Sequence, residues 1–204
     1  MFVLTDIAMN NDSVSMTKCD RPVLVDTYRN HKITASVEAG IYVGKVFSKG
    51  TQLAYCEAPE RAQAEQHLRL IVDRDIEKKC QSRGQTPVSS DELQAALVEI
   101  KAYLEPGHIS MLRGHYQAEH GAINLEELAV LGHCASTTEV YCIYANIARC
   151  LCDELAYSPP IQHNGRDPML SMLLQASDDD SSPRSSLYVT LTSTIRDALI
   201  AVQW

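Results

Sequence analysis

The sequence predicts an α+β protein of two modules in series: a small antiparallel β-sheet carrying one helix, then a mainly helical module of helix-turn-helix plan. Three observations predict it. Between residues 23 and 56, β-branched and aromatic residues alternate or cluster and are punctuated by glycine turns. From residue 89 to 157 the apolar residues recur instead at intervals of three and four, the spacing of amphipathic helices. Between the two, Gln81-Ser82-Arg83-Gly84-Gln85-Thr86-Pro87 has the composition of a linker.

Residues 1–22 show no sustained periodicity and are expected to be a loosely ordered lead-in. They lack the cationic start and apolar stretch of a secretory signal, and no apolar run in the chain is long enough to span a bilayer, so a soluble cytoplasmic protein is expected. The first module is placed over 23–80. Its strand signals are Val23 to Tyr28, Ile33 to Glu38, Ile41 to Phe47 and Gln52 to Cys56, with Ala39-Gly40 and Ser48-Lys49-Gly50 as hairpin turns. Pro59 suits a first helical position, and Ala64, Leu68, Ile71, Val72 and Ile76 continue at helical spacing to about Lys79.

A linker is placed over 81–88 and a second module over 89–204. Ser89 or Ser90 caps a helix whose stripe is Leu93, Leu97, Ile100 and Leu104, stopped by Glu105-Pro106-Gly107. His108 to Gln117 reads as another helix, with Ile109, Leu112 and Tyr116 inward. Asn124, with Glu127 three residues on, predicts a boxed start for a short helix from Leu125 to Leu131, and Gly132 ends it. Ser136 or Thr137 caps a longer helix with Val140, Ile143, Ile147, Leu151 and Leu155 inward and Tyr144 beside them, ending before Ser158-Pro159-Pro160. Residues 177–186 read as a mobile acidic loop, Leu187 to Leu191 as a strand with no evident partner, and Ser193 or Thr194 as the start of a last helix. A loop and strand beside three helices is the outline of a wing.

Charge narrows the function. The chain of 204 residues carries 18 basic and 26 acidic side chains, a formal net charge of −8, which opposes unassisted binding to polyphosphate. From Ser89 to Tyr157 only Lys101, Arg113 and Arg149 are basic, against ten acidic residues. An acidic helix-turn-helix would be repelled from duplex DNA but would suit a basic protein surface. The seven cysteines, an odd number scattered mostly through helical patterns, predict mostly buried free thiols.

No catalytic motif stands out. Phosphate-binding Gly-x-x-x-x-Gly-Lys-Ser/Thr, dinucleotide Gly-x-Gly-x-x-Gly and Gly-x-Ser-x-Gly elbow sequences are absent. His163-Asn164-Gly165-Arg166-Asp167 has nuclease-like residue types but no flanking strand signals. His108 and His115, seven residues apart, would stand about 10 Å apart along one helix, so with His120 they fit surface or half-buried histidines better than a metal site. His133, Cys134, Cys142, Cys150 and Cys152 cannot all converge on one zinc ion from a single long helix. No cofactor and no metal are therefore expected.

The segments Met111-Leu112-Arg113-Gly114-His115-Tyr116, Ile123-Asn124-Leu125-Glu126-Glu127-Leu128-Ala129 and Tyr144 to Leu155 resemble a winged-helix-like module. That module accompanies HNH-type and other restriction endonucleases and occurs in uncharacterised bacterial and phage proteins. The resemblance covers residues 108–157, and more faintly the closing helix. It implies a winged-helix-like second module and a bacterial or phage protein in the orbit of host defence. The expected function is a non-catalytic interaction protein that binds a protein or nucleoprotein with a basic surface, as an inhibitor of host defence of the anti-restriction or anti-CRISPR type. Its contact residues would be Glu126, Glu127, Glu139, Arg149, Asp153 and Glu154. One alternative is a DNA-binding regulator using Arg113, Arg149 and cations from the first module, with homodimerisation compensating for the weak charge. Another is a metal-dependent nuclease or hydrolase.

Overall fold

The computed structural model describes residues 24–160, 167–175 and 188–204. The lead-in, residues 163–166 of the histidine-containing turn and the acidic loop at 177–186 lie outside them.

Strands β1 (Leu24–Tyr28), β2 (His31–Glu38), β3 (Ile41–Ser48) and β4 (Thr51–Ala58) form one antiparallel meander in the order β1-β2-β3-β4. Consecutive strands are joined by two-residue turns at Arg29-Asn30, Ala39-Gly40 and Lys49-Gly50, with positive φ at both positions of each. Turns of that hand match the twist of the strands they join. Alternation then sorts the side chains: Leu24, Ile33, Ala35 and Val46 are buried on one face against Leu68, Val72 and Ile76. These last residues lie on α1 (Arg61–Arg83), at the four-residue spacing that places them on one side of a helix. At Gly44, opposite Ala35 and Cys56, an added Cβ would lie 2.9 Å from Leu68 Cδ1. The glycine is what lets the helix approach the sheet.

Helix α1 begins at Arg61, with Glu60 as its N-cap, and continues to Arg83, where Gly84 terminates it. Pro59 therefore precedes the helix, and the helical pattern continues into the expected linker. Part of that linker has no breaker before Gly84, so the apolar contacts of α1 carry the helix through Gln81 and Ser82.

Beyond the connection lie α2 (Ser90–Ile100), α3 (Pro106–Gln117), β5 (Ala122–Asn124), α4 (Leu125–Gly132), α5 (Thr137–Leu155), α6 (Leu170–Leu173), β6 (Tyr188–Thr190) and α7 (Ser193–Ala201). Ser89 caps α2 in a reciprocal box with Glu92. Pro106 starts α3 instead of ending the preceding helix, because the first helical position needs no N–H. The preceding turn is a short 3-10 segment, Lys101–Tyr103, which leaves Leu104 half-buried against the core. The inward residues of α3 are Met111, Leu112 and His115, so the buried face is rotated from the expected Ile109, Leu112 and Tyr116. Asn124 caps α4 through the N–H of Glu126, not through a box with Glu127.

Helix α5 lies at the centre. Val140, Ile143, Tyr144, Ile147, Ala148, Leu151 and Leu155 are buried, and α2 and α4 pack against it. The strand expected after residue 186 finds its partner in β5: Ala122 pairs with Thr190, Ile123 with Val189 and Asn124 with Tyr188. The two modules have separate apolar cores, one between the sheet and α1 and one among α2 to α7.

Candidate interaction surface

The surface of the helical module follows from how α4 and α5 are held. Two positive-φ residues end these helices, His133 after α4 and Ala156 after α5, so both stop sharply. Residues 133–136 connect them, and Ser136 caps α5 by accepting from the Glu139 N–H at 3.2 Å. The Glu139 carboxylate in turn accepts from the Ala135 N–H at 2.6 Å. Glu139 is thus part of the turn while remaining exposed.

With the apolar stripe of α5 turned inward, its outer side carries Thr138, Tyr141, Cys142, Asn146 and Arg149. Arg149 donates to the Asn146 side chain and has no carboxylate partner among the described residues. Glu126 and Glu127 are exposed in the first turn of α4, and Val130 on the same helix is 75% exposed. Four of the six expected contact residues (Glu126, Glu127, Glu139 and Arg149) therefore stand on the outside of the α4–α5 pair.

Asp153 and Glu154 do not. They point to the sheet module, where Arg29 grips Asp153 through Nε to Oδ2 at 3.0 Å and Nη2 to Oδ1 at 2.6 Å. The same guanidinium donates through Nη1 to Asp73 of α1 at 2.7 Å, and the Asp153 side chain is only 4% exposed. The hydrogen bonds that Arg29 donates to Asp153, then that to Asp73, hold it protonated more firmly than an isolated arginine. Asn30 of the same turn donates to the Cys150 carbonyl at 2.8 Å. Lys49 of another turn lies 2.7 Å from Glu154 and 3.5 Å from Glu99. Arg83 completes the junction, donating to the Leu155 carbonyl at 2.8 Å and to both oxygens of Glu92 at 3.0 Å. Arg83 first, and Ser89 next, hold the Glu92 carboxyl down at about 2.

This junction corrects the charge argument made from sequence. Asp153 lies inside an ion pair and Glu154 is engaged by Lys49, so neither is an open contact for a partner. Local spacing places them at the end of α5 but carries no sign that another module covers that end.

The basic residues expected to serve DNA are also placed apart. Arg113 donates through Nε to the Trp204 carbonyl at 2.9 Å, and Tyr116 donates its hydroxyl to the same oxygen at 2.7 Å. Lys101 lies over the Trp204 ring, 5.4 Å from its centroid. These contacts fix Trp204, which is 3% exposed, against the helical core. Arg149 is left as the cation on the outer side of α5.

His115 is fully buried, contrary to the surface or half-buried reading. Its Nε2 lies 3.1 Å from the Val189 carbonyl, which can only accept, so Nε2 carries the proton and Nδ1 accepts from the Tyr144 hydroxyl. Burial pushes the imidazole down to about 4 and the Tyr144 phenol well above its ordinary value. His115 therefore joins α3, α5 and β6 as a neutral ring.

Among the described residues no group of three or more His, Cys, Asp or Glu side chains is placed to hold a metal ion. Six of the seven cysteines are described and all are free thiols, but only Cys152 is buried and Cys142 is exposed. The others are half-buried, fewer fully inside than the expectation. Burial, then Asp153, raises the Cys152 thiol to about 12, which makes it a poor nucleophile. No helix among the described residues is long and apolar enough to cross a membrane. No protein-family model, curated protein or solved structure matches the chain.

Proposed function

We propose that the chain is a non-catalytic interaction protein whose helical module docks a protein or nucleoprotein through the outer sides of α4 and α5. The observation that carries the reading is the composition of those sides. Tyr141, Cys142 and Val130 are exposed, with acidic Glu126, Glu127 and Glu139 on the same two helices. Exposed aromatic and aliphatic side chains with charges nearby are the usual make-up of a protein interface, and the acids select a cationic partner. The α4–turn–α5 unit beside the β5–β6 pair supports a winged-helix-like reading of the module, used here for a partner other than bare duplex. A host-defence nucleoprotein of bacteria is the particular partner we propose, on the strength of the resemblance over residues 108–157.

Direct DNA reading is the second choice. In its favour, Thr138, Asn146 and Arg149 are hydrogen-bonding side chains on the outer side of α5, and Asp153 and Glu154 no longer oppose a phosphate there. Against it, Arg113 and Lys101 are engaged with Trp204, which leaves little on the helical module to neutralise phosphates. Affinity capture from a bacterial lysate, read by mass spectrometry, tests the choice. The wild-type chain is expected to retain a stable partner that is lost with Glu126→Lys/Glu127→Lys and with Tyr141→Glu. Failure to recover one, or recovery undiminished by those changes, overturns the docking reading. Retardation of genomic fragments by micromolar protein at low salt, abolished by Arg149→Ala, would install the DNA reading in its place.

A further inference from the structure

The sheet has a second face. Helix α1 covers the side bearing Ile33, Ala35 and Val46, so pleating turns Thr27, Lys32, Thr34, Lys45, Phe47 and Tyr55 to the other side. A solvated face of an antiparallel sheet ordinarily reads as polar. Here Val25 is 57% exposed and Tyr55 64%.

The register gives this face a pattern. Lys32 on β2 stands directly opposite Phe47 on β3, and Lys45 on β3 stands directly opposite Tyr55 on β4. Lys45 and Phe47 are two residues apart on one strand and so share the face. Cross-strand neighbours have Cβ atoms about 5 Å apart and second neighbours along a strand are about 7 Å apart. The result is a checkerboard of two ammonium groups and two aromatic rings across three adjacent strands.

Charge agrees. Residues 24–84 carry ten basic and eight acidic side chains, so the acidic surplus of the chain is not on this module. Arg29, Lys49 and Arg83 are occupied at the junction, whereas Lys32 and Lys45 form no ion pair among the described residues. Of the acids on the same face, Glu38 stands at the far end of β2, past Ser36, whereas Glu57 lies directly opposite Val43 and is the next residue on this face along β4 from Tyr55.

We propose that this outer sheet face binds single-stranded nucleic acid, with bases stacked on Tyr55 and Phe47 and phosphates held by Lys45 and Lys32. Stacking needs bases whose faces are free, which a duplex does not offer, and two cations fit a short single strand better than a duplex backbone. An aromatic ring set directly beside an ammonium matches a ligand in which each base is tethered to a phosphate. The site is on a different module from the α4–α5 surface and does not depend on the docking reading.

The test is fluorescence anisotropy of a labelled oligo(dT) of about 12 nucleotides, within the range one small domain covers, titrated with the full chain at rising salt. Saturable binding is expected, weakened about tenfold by Tyr55→Ala, since losing one stacked base costs a factor of that order. Lys32→Gln with Lys45→Gln should make the plot of log affinity against log salt shallower by about 1.4, for two lost phosphate contacts on a single strand. Lys78→Gln, on the exposed side of α1, should change nothing. Wild-type protein that leaves the anisotropy flat at low salt overturns the proposal, as does Tyr55→Ala binding like wild type. Equal loss with Lys78→Gln overturns it too, by showing attraction without a site. Displacement of the oligonucleotide by an equimolar acidic peptide such as polyglutamate would assign the face to an acidic protein segment instead. The substituted side chains are solvent-facing, and unchanged thermal melting verifies that each variant is folded.

Discussion

The sheet module and the helical module differ in charge, and part of the difference is consumed where they meet. Residues 24–84 have a slight basic excess, while Ser89 to Tyr157 has three basic side chains against ten acidic. At the junction Arg29, Lys49 and Arg83 from the first meet Asp153, Glu154, Glu99 and Glu92 from the second. Formal charge summed along a segment therefore overstates what a partner would encounter. The acids that remain outward on α4 and α5 are Glu126, Glu127 and Glu139, fewer than the sequence suggests.

Separate cores predict separate sensitivities, and the largest effects should come from emptying them. Leu151→Ala in the helical core and Leu68→Ala between sheet and α1 should each cost about 2–5 kcal/mol, the range for a buried leucine. The single tryptophan, Trp204, belongs to the helical core, so its fluorescence reports that module alone. Leu151→Ala should shift the fluorescence transition in a denaturant melt directly. Leu68→Ala should shift the far-ultraviolet signal of the sheet module and move the fluorescence only as far as the junction couples the two. An identical shift of both signals by both variants would mean one cooperative unit and would erase the distinction.

The next effect belongs to the helical module alone. His115 is held near 4 by burial, whereas in the unfolded chain it titrates near its ordinary 6.5. A depressed folded value means stability that is full above about 6.5 and is lost as the pH falls toward about 4, because only the unfolded chain takes up the proton in that window. The loss should reach about 3 kcal/mol. Urea melts at pH 7 and pH 4, followed by Trp204 fluorescence, measure it. His115→Gln should be less stable at pH 7, since Tyr144 and Val189 lose their partner, and should lose less between the two pH values. A wild-type protein equally stable at both would contradict the neutral buried ring.

What the sequence made legible was whatever is written locally. The alternation from Val23 to Cys56 yields the meander, a serine cap for α2 is expected at Ser89 or Ser90 and falls to Ser89, and the α5 stripe is buried residue for residue. What it hid depends on distant partners. β5 is not anticipated before the Asn124 cap, because its pairing strand lies beyond α5 and α6, at Tyr188–Thr190. His115 reads as a surface or half-buried residue because its partners, Tyr144 and Val189, are far along the chain, and a histidine on a helix gives no sign of its own burial. Arg29-Asn30 carries no glycine, so nothing marked it as a tight turn. Among the candidate contact residues, helical spacing alone placed Glu126, Glu127, Glu139 and Arg149, while Asp153 and Glu154 needed knowledge of the other module.

The Arg29 clamp is the sharpest way to test whether charge contrast joins the modules. Arg29 and Asn30 both sit at positive φ, a conformation that costs a non-glycine residue about 1 kcal/mol or more unless its surroundings fix it. Here the fixing contacts come from both sides, Asp73 of α1 and Asp153 and the Cys150 carbonyl of α5. Arg29→Ala would leave the Asp153 carboxylate buried without its cation, a loss of about 2 kcal/mol after allowing for the 25% exposure of the arginine side chain. Asp153→Asn should cost less, because the amide keeps an acceptor for Arg29 and removes the stranded charge. In a double-mutant cycle the two losses should fall short of additive by about 1 kcal/mol or more. The same variants should bring the sheet and tryptophan transitions apart in the denaturant melt. Additive losses with the transitions still moving together would show that the modules are held by something other than the contrast in their charge.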